Sequence, residues 1–400
     1  MKIIFLGLHY TSEEENYLYK VCSGRISVAH KKFQDNLING LRENGAELCE
    51  IAALPIGVFP FLSRVIKTKT KREGFRTETG YINIPLIKDR SLFRGAYKEL
   101  KKKSAAVRSD EPIYIVVYDM CIPFMKAALK MRDEDKRCKC VLIIPDLPGE
   151  FGIFQANSGA LVRFRFRQKE KAYFSCVGKF DGYLPITKHV MNAIKQADKP
   201  YMVVEGIADV SDIPTFCEGK PHKKIFMYAG ELSVNVGINV LLEAFEKTTN
   251  DKYELWICGK GEYESIVAGK AKTDKRIKYL GFVKSGDMKR LQNEVNVFVN
   301  PRQNEFKYTG YSFPSKNIEY LKTGKPLVGY KLDGIPDEYD EFMFYPEDNS
   351  PYALAKAMEQ AANLTDAELR NIYVRQTDFL KEKKSSKKQG EAIKKFLCQL

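Results

Sequence analysis

The chain has 400 residues, of which 44% are hydrophobic and 29% charged. This length exceeds one ordinary core and indicates two domains, and the composition is that of a globular protein. No apolar run reaches the roughly 18 residues of a membrane-spanning helix, and residues 2–8 are too short for a signal peptide, so we expect a cytoplasmic protein.

The positive charge is concentrated in the first half. Residues 1–200 contain 35 Lys and Arg against 22 Asp and Glu, whereas residues 201–400 contain 30 against 29. Basic and aromatic residues are interleaved, most densely in residues 64–76 and 163–171. This pattern suits an anionic membrane surface or a nucleic acid, and a solvated basic face is the alternative. Because no nucleic-acid recognition motif is present, we expect the membrane surface as partner.

The sequence contains little that suggests a metal or a disulfide framework. The nine cysteines are an odd number and lie mostly in apolar stretches, which favours reduced thiols. Cys138 and Cys140 are the only close pair, and no Cys or His cluster accompanies them, so we predict no metal site. Of the four histidines, His9 follows the first apolar run and is the one to test, although a structural role is the better expectation for each.

The first half alternates short apolar strands with amphipathic helices. A helix is predicted over Phe33–Arg42, where apolar residues recur at helical spacing. The predicted buried strands are Ile3–Leu6, Leu48–Ala52, Ile113–Tyr118, Val141–Ile144, Tyr183–Ile186 and Met202–Val204. Such alternation predicts an α/β domain with a doubly wound, parallel sheet.

The same pattern restarts after a stretch rich in Pro, Gly and Lys at residues 213–224. The second set consists of a helix at Val240–Phe245 and strands at Ile225–Tyr228, Leu255–Cys258, Val297–Val299, Pro326–Val328 and Met343–Tyr345. We therefore predict Rossmann-like domains over residues 1–205 and 206–375, facing a central cleft at the carboxyl ends of their strands. A last helix in residues 376–400 is expected to pack back toward the first domain.

Residues 311–330 are the most informative segment of the chain. They indicate a turn, a short helix opened by Pro314, a stop at Gly324 and then a strand. A helix start offers unpaired N–H groups, and Lys316 adds a charge, so an anion such as phosphate is expected there. Glu319, four residues after Ser315, places a carboxylate on the same face. An ordinary surface helix is the alternative.

Other candidates follow predicted strands. Gly230 and Gly259 stand where a backbone must approach a ligand closely, although neither belongs to a G-x-G-x-x-G fingerprint. In the first domain, Asp119, Asp146 and Glu150 follow buried strands and would border the cleft. Aspartate before a turn is often only a turn former, and this alternative applies to each.

Several landmarks occur in one order, and the second half resembles the nucleotide-sugar domain of family 4 retaining glycosyltransferases with the GT-B fold. The matching stretches are Met227–Gly230, Gly237–Phe245, Leu255–Glu262, Tyr279–Val283, Val297–Pro301, Ser312–Tyr320, Thr323–Val328 and Asp333–Pro336. The Ser-Phe-Pro-Ser-Lys version at Ser312–Lys316 resembles the branch that works in bacterial capsular and exopolysaccharide assembly. The first half resembles that branch more loosely, through Ala29–Phe33 and Asp181–Thr187.

The resemblance implies roles for individual residues. Glu319 would grip the ribose hydroxyls, the backbone of Val283 would contact the nucleobase, and Gly230 would open the loop under the diphosphate. Asp146 and Lys316 are the catalytic candidates. The expected donor-binding set is Gly230, Gly259, Val283, Arg302, Tyr311, Ser312, Phe313, Ser315, Lys316 and Glu319.

The sequence departs from the family pattern in three respects. Tyr311 replaces the first Glu of the Glu-x7-Glu motif, and Glu231 and Val236 replace two basic residues of the loop under the diphosphate. Pro314 removes an N–H that commonly serves the phosphate. The nearest residues that would restore positive charge are Lys316 and Arg302, and Glu305 would be a replacement for the lost carboxylate.

The resemblance implies retaining transfer of a sugar from a nucleoside diphosphate, expected to be UDP, to an acceptor hydroxyl, with no cofactor or metal. The acceptor is expected to be lipid-linked or a polysaccharide, used in cell-surface polysaccharide synthesis at the inner face of the cytoplasmic membrane. Two alternatives remain open because of the departures: a weakly active or inactive nucleotide-sugar-binding scaffold of a polysaccharide assembly complex, and an epimerase on the same fold.

Overall fold

The computed structural model describes residues 1–22, 26–59, 64–119, 121–147, 160–216, 223–304 and 307–400. The chain forms two compact units, one of Met1–Ile207 together with Ser386–Leu400 and the other of Ala208–Ser385. The division therefore falls two residues after the predicted boundary. Residues 376–385, which we grouped with the last helix, lie in the second unit.

The first unit is built on a parallel sheet. Its described strands are β1 (Lys2–Leu8), β2 (Glu47–Ala53), β3 (Lys71–Glu73), β4 (Arg76–Glu78), β5 (Ile113–Tyr118), β6 (Cys138–Ile144) and β7 (Gly182–Pro185). They are ordered β3-β4-β2-β1-β5-β6-β7, and β3 is antiparallel to β4. The central strands are continuous apolar runs because helices cover both faces of such a sheet.

Helices α1 (Ser12–Val21), α2 (Val28–Glu43), α3 (Ile87–Ala105), α4 (Ile122–Glu134), α5 (Ala160–Val177) and α6 (Lys188–Ala193) belong to this unit. In α2, Leu37, Ile38 and Leu41 form the buried stripe that the helical spacing predicts. Ser27 begins this helix by accepting a hydrogen bond from the backbone N–H of His30.

The second unit has six described strands, all parallel, in the order β10-β9-β8-β11-β12-β13. They are β8 (Lys224–Ala229), β9 (Tyr253–Cys258), β10 (Ile277–Gly281), β11 (Val297–Asn300), β12 (Leu327–Gly329) and β13 (Met343–Phe344). The helices are α7 (Ile238–Lys247), α8 (Glu264–Thr273), α9 (Ser285–Glu294), α10 (Lys316–Leu321), α11 (Pro351–Ala362) and α12 (Asp366–Phe379).

The last helix, α13 (Ser386–Cys398), packs on α2 in the first unit. Ile393, Phe396 and Leu397 join the core cluster that contains the α2 stripe. A Cβ on Gly40 would overlap the carbonyl of Ser386, so the two helices approach closely at a glycine.

Two elements of the first unit differ from the sequence-based prediction. Met202–Val204 is not a strand, although its backbone N–H groups donate to the carbonyls of Tyr183 and Pro185 beside β7. The β3–β4 hairpin was not predicted because its residues are mostly charged and show no apolar alternation.

No helix among the described residues is long and apolar enough to cross a bilayer.

Candidate functional site

Two glycine loops meet at the carboxyl ends of the neighbouring strands β8 and β9. Gly230 donates a backbone hydrogen bond of 2.8 Å to the carbonyl of Cys258. Gly259 has φ of 139°, and a Cβ there would overlap the carbonyl oxygen of Gly230. Position 259 therefore requires glycine both for its backbone conformation and for the close approach of the two loops.

Lys316, the first residue of α10, lies over the first of these loops. Its Nζ is 3.4 Å from Tyr228 Oη and 4.8 Å from the centre of the Tyr228 ring. The Tyr228 hydroxyl itself donates to the carbonyl of Glu231 at 2.7 Å. A Cβ on Gly230 would overlap the Lys316 Nζ, so the missing side chain at position 230 makes room for the ammonium group.

The surroundings of Lys316 make its charge costly to maintain. Burial lowers its pKa to about 8, and the charge of Arg302 contributes to the decrease, whereas the carboxylates of Glu231 and Glu319 oppose it. An arriving anion would favour the charged form and restore the pKa. A bound anion would therefore stabilise the charged form of the ammonium group.

Helix α10 is fixed by contacts with two strands. The Tyr320 hydroxyl accepts a hydrogen bond of 3.0 Å from the Ala229 N–H at the end of β8, and its ring stacks on Phe298 of β11 at 4.4 Å. Asn317 accepts a buried hydrogen bond of 2.7 Å from Asn300. These contacts hold Lys316 at a defined position relative to the glycine loops.

The turn before α10 is held by a second cation. Arg302, just after β11, donates a hydrogen bond of 2.8 Å to Ser312 Oγ. A Cβ on Gly334 would overlap the Ser312 carbonyl oxygen, so a further loop covers this turn closely. Phe313 is buried against Tyr339 at 5.2 Å between ring centres, which gives its side chain a packing role.

The other predicted donor-binding residues surround this centre less closely. Tyr311 ends a short 3-10 turn and is partly buried, and Ser315 and Glu319 are exposed. Val283 lies in the connection from β10 to α9, one strand beyond β9. The structure thus brings Gly230, Gly259 and Lys316 together, with Arg302 and Ser312 paired nearby. Glu305 lies outside the described residues.

Within the first unit, Asp146 follows β6 and pairs with a histidine. His30 Nε2 of α2 is 3.1 Å from Asp146 Oδ2, and the His30 ring meets the Tyr118 ring edge-on at 5.8 Å. Burial works against protonation, but Asp146 and Asp119 raise the pKa of His30 above its usual value. The sequence did not indicate this pair, because 116 residues separate His30 from Asp146 and no local pattern links them. Glu150 lies outside the described residues.

His9 belongs to a buried charge network. Its ring nitrogens lie 2.6 Å from Glu50 Oε1 and 3.0 Å from Asp35 Oδ1, and Arg76 donates to its carbonyl at 2.9 Å. These internal partners indicate a structural role. The network borders a cavity of about 310 Å³, where burial and contact with Glu14 raise the pKa of Glu78 to about 7. Thr11, Ser12, Glu13, Glu14, Lys71, Glu73, Arg76 and Glu78 line this cavity.

Among the described residues no three His, Cys, Asp or Glu side chains form a group that could hold a metal ion. The eight cysteines in the described part are free thiols.

Comparisons with known proteins agree with this architecture. Residues 223–363 match the family model described as "Glycosyl transferases group 1". HepE from Anabaena in complex with UDP is 13% identical over 100% of both chains, with a TM-score of 0.63. WaaB, a lipopolysaccharide outer core galactosyltransferase, is 15% identical over 100% of both chains, with a TM-score of 0.62.

A third similar structure is a UDP-forming α,α-trehalose-phosphate synthase from Burkholderia xenovorans in complex with glucose-6-phosphate. It is 13% identical over 99% of both chains, with a TM-score of 0.63. These likenesses confirm the predicted GT-B fold with two parallel-sheet α/β domains. No curated protein sequence matches the chain.

Proposed function

We propose that this protein, whose residues 223–363 match the family model of group 1 glycosyl transferases, moves a sugar from a UDP-sugar to an acceptor hydroxyl with retention of configuration. The proposal rests on the Lys316 ammonium group, whose Nζ occupies the space that a side chain at position 230 would fill. A diphosphate bound on the glycine loops would stabilise this charge further than Glu231 and Glu319 do.

The chemistry needs positioning and charge neutralisation more than a strong base. As the donor's bond from the anomeric carbon to the β-phosphate oxygen breaks, charge develops on the leaving diphosphate, and Lys316 would stabilise it. The acceptor oxygen forms the new bond to the same carbon, and its proton passes to a β-phosphate oxygen. Glu319 would hold the ribose, as the resemblance implies, and no bound cofactor or metal is part of the proposal.

The acceptor side belongs to the first unit in this proposal. Asp146 and His30 form a hydrogen-bonded acid–base pair that would orient an acceptor hydroxyl. The acceptor would be a lipid-linked or polysaccharide chain, and the reaction would serve capsular or exopolysaccharide synthesis at the inner face of the cytoplasmic membrane. The exposed basic residues of the first half and the free cysteines support this location.

A nucleotide-sugar-binding scaffold is the second candidate. Tyr311 stands where the family carries a carboxylate, and Glu231 places a negative charge in the loop that usually carries cations. Glu231 lies close enough to Lys316 to affect its pKa, so part of the phosphate-binding charge is already balanced. A protein of this kind would bind the nucleotide and transfer nothing.

A screen of UDP-, GDP- and ADP-sugars separates these functions. A ligand that binds only the folded state raises the melting temperature, and donor hydrolysis or transfer is measured on the same panel. We expect UDP-sugars to stabilise the protein and to be turned over. Lys316→Ala should weaken nucleotide binding about 10- to 100-fold, because hydrogen bonds to charged groups contribute about 1.5–3 kcal/mol.

Lys272→Ala, at an exposed position of α8, is the matched control and should bind normally. Binding without turnover would favour the scaffold. Release of a free epimer without acceptor would favour an epimerase. Unchanged binding in Lys316→Ala would contradict the assignment of the site.

A further inference from the structure

An apolar tip projects from the first unit at the start of α3. Leu86 is 84% exposed and Ile87 is 48% exposed, although leucine and isoleucine gain free energy when they leave water. Phe59 and Val65, on neighbouring loops, are exposed as well. Single exposed apolar residues are ordinary, but a cluster of them indicates an interaction surface.

Hydrogen bonds join the loops beneath this tip. The Asn83 side chain donates to the carbonyls of Gly57 at 3.0 Å and Arg64 at 2.9 Å, and accepts from the Ile66 N–H at 2.7 Å. The Tyr81 hydroxyl donates to the carbonyl of Leu54. The loops that carry Phe59, Val65 and Leu86 are therefore held together beneath the tip.

Cations surround the tip. Arg64, Lys67 and Arg90 are exposed close to it in sequence, and Asp89 is a carboxylate on the same turn. Lys88, next to Ile87, donates to the carbonyl of Ile56, and helices α3 and α5 both pack against α4. Neighbouring like charges of this kind favour an anionic surface opposite them.

Helix α5 adds a second apolar and basic surface. Phe164 and Phe174 are 59% and 44% exposed, and Arg167 and Lys171 are exposed between them. At about 100° per residue these four positions fall within an arc of about 80°, so they share one helix face. Exposed basic side chains are attracted to anionic lipid, and aromatic side chains are enriched at membrane interfaces, so this face would make both contacts.

We propose that the tip at Leu86–Ile87 and the Phe164–Phe174 face of α5 dock the first unit on an anionic lipid bilayer. The surplus of positive charge in residues 1–200 complements such a surface, and the apolar side chains would enter its acyl boundary. A nucleic acid would use the cations but leave Leu86 and Ile87 in water. The inference rests on the proposed function for its meaning, since a lipid-linked acceptor would be met at this surface.

Vesicle co-sedimentation of the full chain tests the inference. The two preparations are phosphatidylcholine alone and phosphatidylcholine with one third phosphatidylglycerol. We expect binding to the anionic vesicles, weaker binding to the neutral ones, and a decrease in about 0.5 M NaCl, where charges are screened within about 4 Å.

Two double variants locate the surface. Leu86→Ser with Ile87→Ser, and Phe164→Ser with Phe174→Ser, should each lower the partition coefficient about tenfold or more, because each removes apolar groups that enter the bilayer. The matched control replaces Tyr352 and Val374, exposed apolar residues of the second unit, by Ser and should bind vesicles normally. Vesicle binding that survives both variants, or that is equal on neutral vesicles, would overturn the inference.

Thermal shifts with UDP separate this inference from the proposed function. A Leu86/Ile87 variant that keeps its shift with UDP but loses vesicle binding supports the docking surface. Vesicle binding without any nucleotide binding would remove the proposed function and leave the docking surface in place. If the protein binds single-stranded oligonucleotides and does not bind anionic vesicles, the exposed cations near the tip and on α5 serve a nucleic acid. This result would overturn the docking proposal.

Discussion

Glycines 230 and 259 are adjacent in the structure, yet they differ in what a side chain would meet. A Cβ at position 230 would meet only side-chain ends, the Lys316 ammonium group, which can move away, and the Tyr228 hydroxyl at 2.8 Å, whereas a Cβ at position 259 would meet the backbone of Gly230 at a φ of 139°. Gly230→Ala should therefore fold normally and weaken UDP binding. Gly259→Ala should lower the free energy of unfolding by about 2–4 kcal/mol.

Thermal unfolding and calorimetry with UDP distinguish these two effects. Gly269→Ala is the control, because a Cβ on this helical residue of α8 meets nothing within 4 Å. It should be neutral or stabilise the protein by about 0.5–1 kcal/mol. Full UDP affinity in Gly230→Ala would show that Lys316 does not depend on the space at position 230.

The buried charge of Lys316 lowers the free energy of unfolding when no ligand is bound. Its pKa falls from an unfolded value of about 10.4 to about 8 in the folded state, so the unfolded chain binds more protons between these pH values. Stability linked to this group therefore rises with pH across that window. Lys316→Met should be more stable than the wild type by about 1–2 kcal/mol at pH 7, after allowance for solvent screening, and it should bind UDP weakly.

Melting curves at pH 7 and at about pH 10 check the sign of this effect. At about pH 10 the folded state has already lost the Lys316 charge, since its pKa is about 8, and the unfolded state is close to its own pKa of about 10.4. The advantage of Lys316→Met should shrink at the higher pH. An advantage that is constant with pH would mean that packing, rather than the buried charge, sets the difference.

The His30–Asp146 pair makes the stability of the first unit depend on pH. Asp146 raises the pKa of His30, so the pair stabilises the fold below the unfolded pKa of His and loses this contribution as the pH rises through the folded pKa. Asp146→Asn should lower the pKa of His30, measured by NMR titration of the ring. Asp110→Asn, at an exposed carboxylate in the same unit, should leave that pKa unchanged. An unchanged His30 pKa in Asp146→Asn would contradict the pairing.

Among the elements, strands with continuous apolar runs could be predicted from sequence, and edge elements could not. Ile113–Tyr118 coincides with β5 because burial on both faces makes every residue apolar. The β3–β4 hairpin is held by backbone pairing at the sheet edge, which leaves no apolar signal in Lys71–Glu78. Helix α10 was predicted from Pro314 and Gly324, since these residues set its limits locally.

Helix α13 shows how a distant element completes the first core. Ile393 is fully buried in the cluster with Leu37 and Leu41. Ile393→Ala should lower the free energy of unfolding by about 2–5 kcal/mol. Hydrogen exchange should increase in α2 and β2 and stay unchanged in residues 223–363, and Ile266→Ala, at an exposed site of α8, is the control. Equal loss of protection in both units would contradict this assignment.

In the molecule as a whole, the order of short landmarks predicted a glycosyltransferase-like domain in the second half, and the family match covers residues 223–363 of the same region. Contacts between residues that are distant in the sequence could not be predicted. Lys316 meets Tyr228 across 88 positions, and this contact exists only because β8 and α10 lie side by side in the folded unit. The residue types at the site were therefore predictable, but their partners were not.

In the proposed reaction, Lys316 carries the charge that balances the donor's diphosphate. NMR titration of the Lys316 ammonium with and without saturating UDP tests this role of Lys316. Without UDP the pKa should lie near the lowered value of about 8, and with UDP it should rise by at least one unit, because the bound anion favours the protonated form. A Lys316 pKa that stays the same when UDP is bound would contradict the account.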